Sequence, residues 1–269
     1  MKIATWNVNS IRVRLEAVLN WMNQAQPDVL CLQEIKVTDE LFPVDSFVAP
    51  GYHVVVSGQK TYNGVAIISN CEMTEVQTEF PDYDAEGQKR FIAATIGGVR
   101  VVNVYIPNGS APDSPKFAYK LEFIRKLHSY LKKHHEAKEL LVLTGDFNVA
   151  PEPRDVYDVD EMEGEIGFHP EERAALAELM GWGFEDIFRR HHEGSGLYSW
   201  WDYRAGAFRR DMGLRIDHIW ATMSLADLSL ESGMDKEQRS LHKPSDHIPA
   251  WAIFDAERIT KRQRAWGAP

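Results

Sequence analysis

Four carboxylates, one imidazole and two side-chain amides stand out in this chain by type and position: Glu34, Asp146, Asp217, Asp246, His247, Asn7 and Asn148. Hard oxygen donors of this kind suit Mg²⁺ or Mn²⁺ rather than a structural zinc. Each residue alone has a plainer reading. Glu34 could be a solvated strand-end acid, since acidic side chains are mostly exposed. Gly145-Asp146-Phe147-Asn148 could be a turn, because Gly, Asp and Asn dominate turns. His247 beside Asp246 is an ordinary surface pair. Asp217 is harder to dismiss: it lies in the apolar run Leu214–Trp220, where a carboxylate needs a partner to offset its desolvation.

The elements that must position these residues are legible as short Val/Ile-rich runs bounded by Gly, Pro or Asn. They are Lys2–Trp6, Val29–Gln33, His53–Ser57, Val65–Ser69, Phe91–Ile96, Val101–Tyr105, Leu140–Thr144, Ile216–Ala221 and Ala250–Phe254. Polar residues repeatedly stand just past the C-terminal ends of these runs: Asn7, Glu34, then Tyr105 with Pro107-Asn108-Gly109, then Asp146 and Asn148. Strand tips on a rigid scaffold are where distant parts of a chain can build one site. Asp217, inside its run, breaks this pattern, and Ser245-Asp246-His247 reads as a loop before the last strand. Between the strands lie helical patterns. Ile11, Leu15, Val18, Leu19 and Met22 repeat at three and four, with Asn9 or Ser10 as cap and Pro27 beyond the end. Phe117, Leu121, Ile124, Leu127 and Leu131 repeat likewise after Pro115, and Pro170 with Glu171 and Glu172 opens a third helix that runs to Gly181. Many strand–strand links are too short for a crossover. The expected architecture is therefore α/β, with two mixed sheets packed face to face between helical layers.

The composition fits that expectation. The chain has 269 residues, is 44% hydrophobic and 26% charged, and carries 30 basic against 40 acidic residues, a net charge of −10. Such a balance excludes a disordered chain and argues against a basic DNA-coating protein. No repeat, low-complexity tract or long linker interrupts residues 1–269, which favours a single domain. Only Cys31 and Cys71 occur, so a reducing, cytoplasmic setting is expected, with no signal peptide and no membrane span. The pairs His134-His135 and His191-His192 lack a third spaced ligand and read as solvated, as does the basic tail Arg258–Arg264. Trp6, Trp21, Trp182 and Trp220 read as core.

Eight strings, taken together, make a specific signature. They are Ile3–Asn9, Leu32-Gln33-Glu34, Tyr62–Ile67, Val104–Gly109, Gly145–Pro151, Ser199–Arg204, Arg215-Ile216-Asp217-His218 and Ser245–Pro249. In this order, across nearly the whole chain, they resemble bacterial exonuclease III-type apurinic/apyrimidinic (AP) endonucleases of the endonuclease/exonuclease/phosphatase superfamily. The resemblance implies a four-layered α/β sandwich, one active site at one edge of the two sheets, and Mg²⁺, with Mn²⁺ as an alternative. It implies a DNA-repair phosphodiesterase that cuts 5′ to abasic sites in double-stranded DNA and removes 3′ nucleotides or 3′ blocking groups, acting as a monomer.

Carried over by position, Glu34 is the principal metal ligand. The wider set around the metal is Asn7, Asp146, Asn148, Asp246 and His247. Asp146 would activate water, Asn148 hold the phosphate, Asp217 orient His247, His247 contact the scissile phosphate, and Tyr105 contact phosphate or help the leaving oxygen. The reverse assignment, with the Asp217–His247 pair as base and Asp146 assisting the leaving group, is equally consistent with the sequence. Asn108, Trp200, Arg204, Arg209, Leu214 and Ile216 are the expected DNA contacts, with Trp200, Leu214 and Ile216 around the baseless sugar. The aromatic and arginine content of Ser199–Asp217 could instead be a core cluster with solvated arginines.

Charge is distributed unevenly. Residues 152–172 hold nine acids and one base, whereas Trp200–Ile216 holds four arginines against two aspartates and Lys236–Lys243 holds three bases against one acid. The local surplus of positive charge therefore sits in the expected DNA-facing loops. The acidic stretch and Phe208-Arg209-Arg210-Asp211 depart from the family pattern, and His169 and Arg209 are candidates for tuning the balance of activities. Two other functions compete: a relative acting on a lipid or inositol phosphate, and a catalytically silent DNA-binding module. The Trp/Arg segment speaks against the first, and the filled catalytic positions against the second.

Overall fold

A computed structural model describes residues 1–80 and 87–265. Among these residues twelve strands form two six-stranded sheets. In chain order the strands are β1 (Lys2–Asn7), β2 (Val29–Gln33), β3 (His53–Ser57), β4 (Val65–Ser69), β5 (Met73–Gln77), β6 (Phe91–Ile96), β7 (Val99–Tyr105), β8 (Leu141–Asp146), β9 (Phe184–Asp186), β10 (Asp217–Thr222), β11 (Ser229–Met234) and β12 (Ala250–Phe254). The first sheet runs β11-β12-β1-β2-β4-β3 and the second β5-β6-β7-β8-β10-β9. Both are mixed: β1–β2 and β7–β8 are parallel, and the other pairs are antiparallel.

The period-2 alternation of each strand divides its side chains between two cores. Ile3, Val29, Cys31 and Ile67 of one sheet meet Ile92, Val101, Val142 and Ile219 of the other. Their neighbours face outward. Ala4, Trp6, Leu30 and Leu32 pack on Val18, Trp21 and Met22 of the Ile11–Ala25 helix. Val102, Val104 and Leu143 pack on Phe123, Leu127 and Leu131 of the Pro115–His134 helix and on Leu176 and Leu179 of the Pro170–Met180 helix. This is the four-layered sandwich that the sequence predicts.

Two buried amides fix the sheets against each other. Gln33 Nε2 donates to Asn103 Oδ1 at 2.7 Å and to Thr5 Oγ1 at 2.8 Å, while Asn103 Nδ2 donates to the carbonyls of Leu32 and Ala66. Such bonds have little alternative geometry in a dry interface, so they set the register between layers.

Several expectations are corrected. The strands β5, β9 and β11 carried no sequence signal: β9 has only three residues, and β5 and β11 are largely exposed. Asp217 does not interrupt a strand. It is the first residue of β10, which runs antiparallel to β8, so Asp217 faces Asp146 at the same sheet edge. Ser10 stands at the helix cap position but makes no side-chain cap bond, whereas Ser114 caps the Pro115–His134 helix through Phe117 N. Trp6, Trp21 and Trp220 are core; Trp182 is only half-buried against it. The paired histidines are tied into the structure rather than simply solvated: His135 bonds Tyr130 and Glu139, and His192 bonds the Ser232 carbonyl and stacks on Phe188. The basic tail forms the helix Ala256–Ala265.

A buried ion network closes the outer end of β10. Arg215, fully buried, donates to both Asp155 oxygens at 2.7 and 3.1 Å and lies 2.8 Å from Asp186. Arg189 also bonds Asp155. Arg215 Nη1 donates to His218 Nδ1, and His218 Nε2 donates to the Val149 carbonyl. Arginine only donates and a carbonyl only accepts, so His218 is the neutral Nε2–H tautomer. Burial and the adjacent Arg215 push its pKa down to about 4. Removing one member of a buried pair leaves an uncompensated charge. We expect Asp155→Ala to lower the unfolding free energy by about 3–5 kcal/mol, measured by urea denaturation. A change within experimental scatter would show that the network contributes nothing to stability.

Candidate active site

Four segments bring the candidate residues to one edge of the sandwich. The parallel pair β1–β2 delivers Asn7 and, one residue past its end, Glu34. The parallel pair β7–β8 delivers Tyr105 and Asp146. Because β10 runs antiparallel to β8, its first residue, Asp217, lies there too. The loop before β12 adds Ser245, Asp246 and His247. It is pinned by Ser245 Oγ donating to the Asn7 carbonyl and by Trp6 Nε1 donating to the His247 carbonyl.

Asn7 ties the two sheets together at this edge. Its Nδ2 donates to Glu34 Oε1 at 2.9 Å and to Asp146 Oδ2 at 2.8 Å. Tyr105 donates its hydroxyl to the same Glu34 oxygen at 2.9 Å, and Lys36 Nζ lies 2.7 Å from the other. Glu34 has a left-handed backbone, φ 51°, which a non-glycine residue adopts only when its surroundings hold it. Burial works against its charge, but Lys36 and Asn7 hold the carboxyl below the usual carboxylate range.

Asp146 is fully enclosed, and burial pushes its pKa up to about 7, with His247 opposing and Asp217 reinforcing the rise. Its Oδ1 accepts from Asn148 N at 2.8 Å. His247 Nδ1 donates to Asp217 Oδ2 at 2.8 Å, which leaves Nε2 facing Asp146 Oδ2 at 3.7 Å. Burial alone would favour neutral imidazole. The carboxylates of Asp217 and Asp146 outweigh it and lift the pKa to about 10. Asp217 Oδ1 is buried without a hydrogen-bond partner.

Glu34, Asp146 and His247 each offer a ligand atom within 4.8 Å of the others. The donor set fits a hard divalent cation at Glu34 and Asp146, where the Lys36 ammonium already balances part of the charge. Asp246 lies to one side. Its oxygens accept from Asn9 Nδ2 at 2.9 Å and Trp200 Nε1 at 3.0 Å, and it is not part of the three-residue group.

Beside this cluster opens a cavity of about 360 Å³. Asn108 and Asn148, joined side chain to side chain at 3.2 Å, form one wall with Ile166 and Gly167. Trp200, Leu214 and Ile216 form the other. Ser199 Oγ accepts from the backbone N–H of both Ile216 and Asp217 and so sets that wall against β10.

The expected DNA contacts separate in space. Asn108, Trp200, Leu214 and Ile216 line the cavity; Arg204 reaches its rim, highly exposed and paired with Asp202 at 2.7 Å. Arg209 is exposed and lies outside the lining. His169 caps the Pro170–Met180 helix and packs on Phe117 instead of rimming the cavity. The positive loops are also less positive than their counts: Arg215 is buried among carboxylates, and Lys236 pairs with Asp211. Sequence reasoning missed Lys36, Asn9, Ser199, Ser245, Ile166 and Gly167. Asn9, Ser199 and Ser245 stand within the signature strings and Lys36 two residues beyond Glu34, whereas Ile166 and Gly167 carried no signal.

The sequence profile of the Endonuclease/Exonuclease/phosphatase family matches residues 4–247. Exodeoxyribonuclease III of Haemophilus influenzae is 38% identical over 269 residues, covering 94% of this chain and 100% of that protein. The structure of an AP endonuclease from Archaeoglobus fulgidus superposes with a TM-score of 0.92 at 42% identity, covering 95% of this chain and 99% of that one. The 3′ phosphatase NExo from Neisseria, bound to a product DNA hairpin, gives 0.89 at 43% identity, covering 95% and 99%.

The imidazolium contributes stability that is complete below the ordinary histidine pKa of 6.5 and is lost as pH rises toward about 10. With divalent metal chelated, we expect the His247 ring signal in an NMR titration to remain protonated through pH 8. In Asp217→Asn its midpoint should fall by roughly 1–3 pH units. A midpoint at or below neutrality in the unsubstituted protein would contradict the ion pair.

Proposed function

The chain belongs to the Endonuclease/Exonuclease/phosphatase family, and from that membership we propose a Mg²⁺-dependent DNA-repair enzyme that cleaves 5′ to abasic sites and trims 3′ nucleotides and 3′ blocking groups. It is a phosphodiester hydrolase of the exodeoxyribonuclease III and AP endonuclease kind, and DNA is its substrate. One observation carries the finer reading. Glu34 and His247 of the three-residue group line a cavity that Trp200, Leu214 and Ile216 also line with apolar side chains. An anionic phosphate can lie against the former while a sugar without its base enters beside the latter. A nucleotide that keeps its base must also be unstacked, at a cost of a few kcal/mol that an abasic site largely avoids.

Glu34, with Asp146 beside it, would hold Mg²⁺, or Mn²⁺ in its place, and the ion supplies positive charge against the phosphate oxygens. The protein groups do the rest. Asp146, held in place by Asn7 Nδ2 and the Asn148 N–H, is suited to orient the attacking water and take its proton. His247 stays protonated at neutral pH, which supports a role in stabilising charge on the phosphate rather than as base. Asp217 keeps the imidazole in one orientation, and Asn148 and Asn108 present amides to the substrate phosphate. Tyr105 steadies Glu34. Asp246 positions Trp200 through its indole N–H. Arg204, and more remotely Arg209, would meet the flanking duplex.

All of these groups come from one chain, and both sheets share one core, which supports a monomer built as a single domain over 1–269. No helix among the described residues is long and apolar enough to cross a membrane. Both cysteines are free, which supports a reducing, cytoplasmic setting.

We expect incision of duplex DNA holding an abasic analogue in Mg²⁺, with release from recessed and 3′-phosphate ends, and none in EDTA. Glu34→Ala should lower the rate by more than about 100-fold, and His247→Ala by about 100- to 1,000-fold. Absence of cleavage of all three substrates would sink the proposal, and full activity of Glu34→Ala would sink the metal assignment.

A further inference from the structure

Lys120 and Glu172 form a completely buried ion pair, yet neither side chain lines the catalytic cavity. Lys120 lies on the Pro115–His134 helix and Glu172 on the Pro170–Met180 helix. An ammonium and a carboxylate removed from water must be paired and hydrogen-bonded, and the partners beyond the pair are informative.

Lys120 Nζ donates to the Asn108 carbonyl at 3.1 Å and to the Asn148 carbonyl at 2.8 Å. Its third proton goes to Glu172 Oε1 at 2.5 Å. Glu172 Oε2 then accepts from Gly167 N at 2.8 Å and His169 N at 3.1 Å. Asn108, Asn148 and Gly167 all line the cavity. They come from separate stretches of chain, which are also joined by the Asn108–Asn148 amide contact, by Asn148 Nδ2 on the Ile106 carbonyl and by the Ala150 N–H on the Gly167 carbonyl. One salt bridge thus grips three segments of one wall by their backbones.

That grip falls where the backbone is least self-supporting. Asn148 has φ 53°, a left-handed conformation unfavourable for a residue with a Cβ, and Gly167 has φ 88°. The Lys120 stem fills the space beside Gly109, where an added Cβ would lie 3.1 Å from Lys120 Cδ. An ammonium that donates all three protons to fixed acceptors, with its stem packed, has one geometry. The carbonyls it holds are therefore fixed to within a hydrogen bond.

We propose that Lys120 and Glu172 are positioning residues, whose ion pair sets the Asn108–Asn148–Gly167 wall so that its amides meet the substrate phosphate. The proposal rests on the reading of this cavity as the substrate site. Small displacements of positioned groups cost rate steeply, so the pair should act on kcat more than on KM.

Lys120→Met, Glu172→Gln and the double variant Lys120→Met/Glu172→Leu test this. The apolar pair removes the buried charges together and can restore folding where Lys120→Met alone fails. Each protein is assayed on abasic DNA well below its own melting temperature and examined by amide hydrogen exchange. We expect kcat to fall by about 10- to 100-fold with KM changed far less. Exchange should rise at 106–109, 147–150 and 166–169 but not in β1, β2 or β8. The apolar pair should recover thermal stability without recovering kcat.

Recovery of kcat together with stability would assign the pair a purely structural role and overturn the proposal. Unchanged exchange in the wall would overturn it as well, as would loosened wall segments with unaltered kcat. If neither Met-containing variant folds, Glu172→Gln decides: a lowered kcat with raised exchange at 166–169 supports the proposal, and unchanged values overturn it. The exchange measurement needs no substrate. Failure of the unsubstituted protein to cut any DNA would therefore count against the substrate reading alone.

Discussion

Crowding of negative charge at one sheet edge is the constraint to which the rest of this structure answers. Glu34, Asp146, Asp217 and Asp246 gather at this edge, with Asp146 and Asp217 fully buried and Glu34 and Asp246 partly so. Like charges in a low-dielectric setting repel strongly, and desolvation adds to the cost. The molecule answers with one imidazolium, one ammonium from Lys36, and neutral donors from Asn7, Asn9, Tyr105 and Trp200. Asp146 takes up the remaining tension as a raised pKa. The cluster is organised around this imbalance before any ligand arrives.

Solving that problem requires groups from four segments to hold positions to within a hydrogen bond. The paired sheets do this by bringing the C-terminal tips of parallel strands and the first residue of an antiparallel one to a common edge. The Gln33–Asn103 amide bridge prevents the sheets from slipping. Behind the site, two further buried ion pairs repeat the same logic. Asp155 satisfies Arg215, and Glu172 satisfies Lys120. Both acids come from the acidic stretch 152–172, so part of the chain's negative excess is internal counter-charge rather than surface field. The net charge of −10 therefore says little about the face that meets DNA.

Much of the scaffold is visible as local chemistry. Val29–Gln33, His53–Ser57, Val65–Ser69, Phe91–Ile96 and Ala250–Phe254 have the ends that their apolar content marks. Such strands are buried on one or both faces, and burial demands β-branched and aliphatic residues. β5, β9 and β11 left no trace because an edge strand can form on a neighbour's free backbone without an apolar run of its own, whereas the edge strand β3 carries Val54, Val55 and Val56. The candidate catalytic residues are legible by their positions. Each alone has an ordinary structural reading, and it is their recurrence at strand tips that marks them.

The sequence by itself determined the residue types available for chemistry, the α/β alternation and the side chains that must be buried. Those follow from hydrophobic periodicity and from the cost of burying unpaired charge, both local properties. The tertiary structure alone decided which charges became partners. It turned Asp217 from an interruption into the partner of His247, withdrew Arg215 from the loops expected to face DNA, and placed Lys120 behind one wall of the cavity. Pairing energies depend on distance and on exclusion of water, and neither exists until sheets and helices have packed.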